Sequence, residues 1–63
     1  MKRKVTCRNG NTVERFYDRR TRSSVTVVKD RDGNQVGGAD YSGNQESANS
    51  ARATMIKDNG GEA

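Results

Sequence analysis

The chain has 63 residues, a formal net charge of +4 and only 29% hydrophobic residues, with no leucine, tryptophan or histidine. A chain this short forms one small domain that buries only about 60% of its unfolded surface, which excludes a second domain and a large core. Because histidine is absent and no stretch approaches the roughly 20 apolar residues of a membrane span, we expect a non-enzymatic cytoplasmic protein without metal, cofactor or membrane partner.

The N-terminal third predicts a β-hairpin. Polar and apolar side chains alternate over residues 2–8, as in a half-buried strand, and Cys7 in this run is the only cysteine, which fits a reducing compartment. Asn9 and Gly10 follow, and both tolerate the positive φ that the central positions of a type I′ turn require. Residues 12–18 are the predicted return strand, with apolar side chains on both faces.

The middle of the chain predicts two further strands. A polar, basic connector over residues 19–24 leads to residues 25–28, the most β-prone run and the predicted central strand. A turn rich in Asp, Asn and Gly follows, with Gly33 suited to the left-handed position. Residues 35–41 are expected to pair back as a fourth strand, and the two adjacent glycines within them predict a bulge or a close approach of another backbone.

The last third has the pattern of a helix. A capping-box spacing precedes Glu46, which places an acid in the first turn of a helix predicted over residues 45–58, and Asn59 with two glycines supplies the chemistry of a C-cap. We therefore expect an α+β fold, a small antiparallel sheet of three to four strands packed against one C-terminal helix. Residues 1–59 form this domain, and residues 60–63 are a flexible tail. Its minimal core makes oligomerisation or partner binding an expected source of stability.

Charge is distributed unevenly along the chain. Ten of the twelve basic residues fall in the first 31 positions, where only three acidic residues accompany them, so this half carries +7 and the remainder −3. A compact cationic region is the electrostatic signature of a phosphate-bearing partner. We therefore predict nucleic-acid binding, to DNA in preference to RNA.

Seven basic residues are the candidate nucleic-acid contacts. Arginine suits this task because its planar fork binds either a phosphate or a guanine edge, whereas lysine acts as a point charge. Phe16 or Tyr17 could stack on an exposed base, although a place in the core or in a dimer contact is the alternative for both. The basic residues themselves could also form only a solvated face. The seven are Arg19, Arg20, Arg22, Lys29, Arg31, Arg15 and Arg8.

A family resemblance points to the same function. The predicted strands, followed by the segment GGADYSGNQESANSARATM, resemble the sheet-plus-helix DNA-binding domains of phage and transposon integrase arm regions and of plant ethylene-response-factor proteins. In those families a three-stranded sheet lies in the DNA major groove and a C-terminal helix braces its back. The resemblance covers about residues 19–57 and places Tyr41, Ser42, Glu46 and Ala48 in comparable roles. It implies a phage or mobile-element protein that uses a basic sheet face.

A protein-interaction module is the alternative interpretation. Small phage or plasmid proteins that inhibit a host or defence protein, such as a CRISPR effector, are short and lack catalytic groups, as this chain does. An exposed strand edge could also pair with a second copy and produce a homodimer. The cationic residues would then attract an acidic protein surface.

Overall fold

A computed structural model of the chain describes residues 3–43 and 45–63 and shows four strands followed by one helix. The strands pair antiparallel in chain order, which confirms the predicted α+β architecture. The predicted start of the first strand, at Lys2, lies outside the described residues. The elements are β1 (Arg3–Thr6), β2 (Thr12–Asp18), β3 (Ser23–Lys29), β4 (Gln35–Ser42) and α1 (Gln45–Asp58).

The β1–β2 and β3–β4 hairpins close with the same kind of loop at one end of the sheet. Gly10 and Gly33 each donate their N–H to the carbonyl three residues earlier, at 3.0 and 3.1 Å, and have φ values of 92° and 86°. The predicted left-handed role of Gly33 is confirmed. The type I′ turn predicted at Asn9 is wrong, because Asn9 does not have a positive φ. The Cys7 N–H donates to the Asn11 carbonyl at 2.8 Å, which leaves three loop residues instead of two.

The β2–β3 connection, residues 19–22, lies at the opposite end of the sheet. The Asp18 carboxylate accepts a hydrogen bond from the N–H of Arg20 at 2.9 Å and so holds the chain in the turn. Arg22 has a φ of 55°, the one positive value at a non-glycine residue in the described ranges. Such a conformation is strained for a residue with a side chain.

The core lies between α1 and one face of the sheet. Val13 and Val28 are directly paired across β2 and β3, and with Cys7 they form a buried cluster against which Met55 and Ile56 pack. None of these three buried side chains is more than 5% exposed. The core is as small as the composition predicted.

The adjacent glycines of β4 lie at a close backbone approach and beside a bulge, the two alternatives that the sequence predicted. The register shifts between Val28 and Lys29, which is the irregularity of a bulge. A Cβ added to Gly38 would lie 2.9 Å from the backbone oxygen of Thr26, whereas one added to Gly37 would make only ordinary contacts. Of the two positions, Gly38 is therefore the one at which a close backbone approach requires glycine.

Helix α1 ends in a Schellman motif. Gly60, with φ of 92°, donates its N–H to the carbonyl of Lys57 at 3.0 Å, and Gly61 donates to the carbonyl of Ile56 at 2.9 Å. The predicted C-cap chemistry is confirmed. Within the part of the chain that the structure describes, no helix has the length and apolar character of a membrane span.

The structure differs from the flexible tail expected over residues 60–63. The N–H of Arg8 donates to the Gly61 carbonyl and the N–H of Ala63 donates to the Thr6 carbonyl, both at 2.9 Å. Gly60 and Gly61 both have positive φ values and turn the chain back, so that its last residues pair with the end of β1. The tail thereby covers part of an otherwise open sheet edge.

Candidate nucleic-acid interface

The seven candidate contacts do not form one surface. Successive residues of a strand point to opposite faces, and the loop arginines project from opposite ends of the sheet. The ends are separated by the seven residues of β3, or about 20 Å at the usual rise per residue. One group of arginines therefore lies at the β2–β3 turn and another at the far end.

The two arginines at the far end are engaged within the protein. The Nε of Arg8 donates to the backbone oxygen of Glu62 at 3.3 Å. The guanidinium of Arg31 lies over Gly10, in the space that a Cβ there would occupy, and its Nη2 is 3.5 Å from the Asn9 carbonyl oxygen. Arg31 thus joins the loops of the two hairpins, and Arg8 joins the β1–β2 loop to the last residues of the chain.

The face of the sheet opposite α1 is not predominantly basic, in contrast to the basic sheet face that we expected. Lys29 lies on this face, and its Nζ is 4.0 Å from Oε2 of Glu14, so part of its charge is compensated. Acidic side chains on the alternate positions of β2 and β4 balance the lysines. In the described ranges the charged residues of this face are Lys4, Lys29, Glu14, Asp18 and Asp40.

Arg15 lies on the other face, beneath α1. It is directly opposite Thr26, is only 9% exposed, and donates from Nη1 to the Asn49 side-chain oxygen. Arg15 therefore does not lie on the exposed sheet face where we expected it to contact phosphate.

The β2–β3 turn holds the three remaining candidates. Arg19, Arg20 and Arg22 are all exposed and fall within four residues. Among the described residues none of the three side chains has a hydrogen-bond or ion-pair partner. We call residues 19–22 the arginine turn. Its side chains can bind an external anion without giving up an internal contact.

Two tyrosines lie beside the arginine turn. Tyr17, Ser24 and Tyr41 are paired in register across β2, β3 and β4 and therefore share the α1 side of the sheet. Both tyrosines and Arg22 line a shallow cleft of about 270 Å³, and Tyr17 is 54% exposed. Sequence reasoning named Tyr17 as a stacking candidate but missed Tyr41, because only the strand register brings the two together.

No protein-family model, curated protein or solved structure matches this chain. The small antiparallel sheet followed by a helix does not by itself tie the chain to the integrase arm regions or the ethylene-response-factor domains.

Proposed function

We propose that the protein binds nucleic acid, with the arginine turn as its phosphate contact and Tyr17 and Tyr41 as surfaces for base stacking. The observation that carries this proposal is the set of three exposed arginines on one short turn, none with a side-chain partner among the described residues, next to two tyrosines. Arginine binds phosphate through its planar fork, and every base has a face that stacks on an aromatic ring. A cytoplasmic location and a preference for DNA are parts of the same proposal.

The expected number of phosphate contacts follows from which of the seven candidate contacts already have internal partners. Arg8, Arg31 and Lys29 would each have to release a contact before binding phosphate. We therefore expect about three phosphate contacts, which corresponds to a log–log slope of affinity against salt of about −3 on duplex DNA and about −2 on a single strand.

Fluorescence polarisation with labelled duplex DNA, single-stranded DNA and RNA of one sequence, over a series of salt concentrations, tests the proposal. In the turn variant the three arginines of the arginine turn are replaced by glutamine. A matched control, Lys4→Gln/Arg31→Gln/Lys57→Gln, removes the same charge from exposed positions elsewhere, and circular dichroism checks that loss of the Arg31 contact with the Asn9 carbonyl leaves the fold intact. We expect the turn variant to lose at least about tenfold in affinity at low salt and most of the salt slope, and the control to lose less.

Two outcomes would overturn the proposal. If the turn variant and the control lose affinity equally, binding depends on net charge and not on this interface. If the native protein binds no nucleic acid at low salt, the function itself is refuted.

The tyrosines supply a separate test of whether the protein stacks on the bases of single-stranded nucleic acid. The variant Tyr17→Leu/Tyr41→Leu keeps apolar side chains but removes the aromatic rings. Because stacking contributes about 1–3 kcal/mol per base, we expect at least a fivefold loss of affinity for single strands and no change for a duplex. Equal losses on both substrates would show that the rings act through the fold, and circular dichroism of the variant checks that fold.

A protein contact is the second candidate function, and the exposed edge strand β4 favours it. Val36 on this strand is 58% exposed, and Phe16 and Val25 are half-buried on the face opposite α1. The partner that fits best is a second copy of the chain, paired along β4. Sedimentation over a concentration series tests this: a concentration-dependent dimer that Val36→Lys on β4 abolishes supports it, and a monomer throughout rejects it.

A further inference from the structure

A second cationic feature lies between α1 and the β1–β2 side of the sheet, apart from the arginine turn. It is a cleft of about 350 Å³ that no acidic residue lines within the described ranges. Its polar lining consists of Arg3, Arg15, Tyr17, Ser24, Gln45 and Asn49.

The guanidinium of Arg15 is buried with few compensating contacts. Arg15 is only 9% exposed, and among residues 3–43 and 45–63 its one side-chain partner is the neutral amide oxygen of Asn49. Its Nη2 is buried and has no hydrogen-bond partner in the described part of the chain. A charge removed from water is costly unless a counter-charge or a full set of hydrogen bonds compensates it. Arg15 therefore has no anionic partner among the residues that the structure describes.

Other positive charges converge on the same side of the molecule. Arg3 is directly opposite Arg15 in the β1–β2 register, a like-charge pair that destabilises a sheet. Arg52 lies three residues after Asn49, and so on the same side of α1, and its Nε is also buried without a partner in the described ranges. An anion in the cleft would relieve the repulsion between Arg3 and Arg15.

Neutral hydrogen-bonding groups complete the cleft. The Ser24 hydroxyl donates to the Gln45 side-chain oxygen at 3.3 Å, a long bond that it can exchange for a bond to an anion. Helix α1 begins at Gln45, so the positive end of its dipole lies at the cleft. Tyr17 stands at the rim, 54% exposed.

We propose that this cleft binds a phosphate group, with the guanidiniums of Arg15 and Arg3 on its oxygens and Ser24 as a neutral donor. Two guanidiniums balance the charge of a phosphate dianion, and their fork geometry matches its oxygens. The cleft is larger than one phosphate, which leaves room beside Tyr17 for what the phosphate is attached to. The group is either a small free phosphate or the 5′-phosphate of a bound strand. Tyr17, Ser24 and Gln45 also line the cleft beside the arginine turn, but the two guanidiniums of this site lie outside that turn. Binding of a free phosphate does not depend on the function proposed above, whereas binding of a strand's 5′-phosphate rests on it.

The first arm of the test is a titration of ¹⁵N-labelled protein with inorganic phosphate at constant ionic strength, followed by NMR. We expect saturable shifts of the Arg15, Ser24 and Asn49 amides, with Kd of about 1 mM or tighter. Arg3→Gln should weaken binding at least about tenfold. Arg3 is exposed, so this variant keeps the fold and carries the test even if Arg15→Gln does not fold. The turn variant should bind phosphate as the native protein does.

The second arm compares a 5′-phosphorylated oligonucleotide with its 5′-hydroxyl form. Free-phosphate binding that Arg3→Gln removes supports the site and identifies a small phosphate as a sufficient ligand. The alternative result is that the native protein binds no free phosphate but prefers the phosphorylated strand at least about tenfold, with the preference lost in Arg3→Gln. That result supports the site and identifies nucleic acid as the source of its phosphate. If neither effect appears, or if both survive in Arg3→Gln, the proposal is overturned. Because the turn variant removes the other interface only, failure of one proposal leaves the other measurable.

Discussion

The side chain of Asn59 joins the end of α1 to the β1–β2 loop, and its loss should destabilise the whole domain. Its Oδ1 accepts hydrogen bonds from the Nδ2 atoms of Asn9 at 2.9 Å and Asn11 at 3.0 Å. Its own Nδ2 donates to the Met55 carbonyl at 2.7 Å. Asn59→Ala removes all three hydrogen bonds at once and leaves the donor of Asn11, which is part-buried, without this partner.

The expected magnitude follows from these three contacts. Each hydrogen bond contributes about 0.5–1.5 kcal/mol net, so we expect Asn59→Ala to lower the free energy of unfolding by about 2–3 kcal/mol. A domain of this length has a total of about 3–9 kcal/mol at the usual stability per residue. Since 1 kcal/mol shifts the Tm of such a domain by roughly 4–8 °C, the Tm should fall by about 10 °C or more.

Thermal and urea denaturation followed by circular dichroism measure this effect. Asn34→Ala is the matched control, because Asn34 occupies the position in the β3–β4 loop that Asn11 has in the β1–β2 loop, and its side chain is exposed. We expect the control to change stability by less than about 0.5 kcal/mol. If Asn59→Ala destabilises no more than Asn34→Ala, the contacts between helix end and loop do not stabilise the domain and the reasoning fails.

Three further substitutions and one control test the packing and the backbone, with the free energy of unfolding as the measurement in each case. Val13→Ala removes a fully buried side chain and should cost about 2–3 kcal/mol; a loss below about 1 kcal/mol would mean that the core relaxes into the space. Arg22→Gly should raise stability by about 0.5–1 kcal/mol because glycine adopts the positive φ without strain, and a decrease would contradict this. Gly38→Ala should cost about 1–3 kcal/mol through its contact with a backbone oxygen, while Gly37→Ala should stay within about 0.5 kcal/mol; equal effects at the two positions would refute the argument.

Local chemistry was enough to predict the elements of this fold. Alternating β-branched and polar residues identified the strands, and the glycines at 10 and 33 marked the two hairpin loops, because turn conformations depend on adjacent residues only. The C-cap at the end of α1 was predictable for the same reason. The error in the first hairpin concerned its loop alone, which has three residues instead of the two that we predicted.

The location of the charged groups was not predictable from local chemistry. A run of basic residues in sequence is not a basic surface, because strand alternation and the antiparallel register distribute its members over two faces and two ends. Only the packing of α1 on the sheet buries Arg15, and only the register brings Tyr41 beside Tyr17.

The sequence by itself therefore determined the class of fold, the order of its elements and the excess of positive charge. The tertiary structure decided which arginines are engaged internally, which remain exposed on the arginine turn, and that the last residues pair with β1. The physical reason is that strand pairing and helix packing join residues far apart in the chain, and the contacts that select one arrangement exist only once those residues meet.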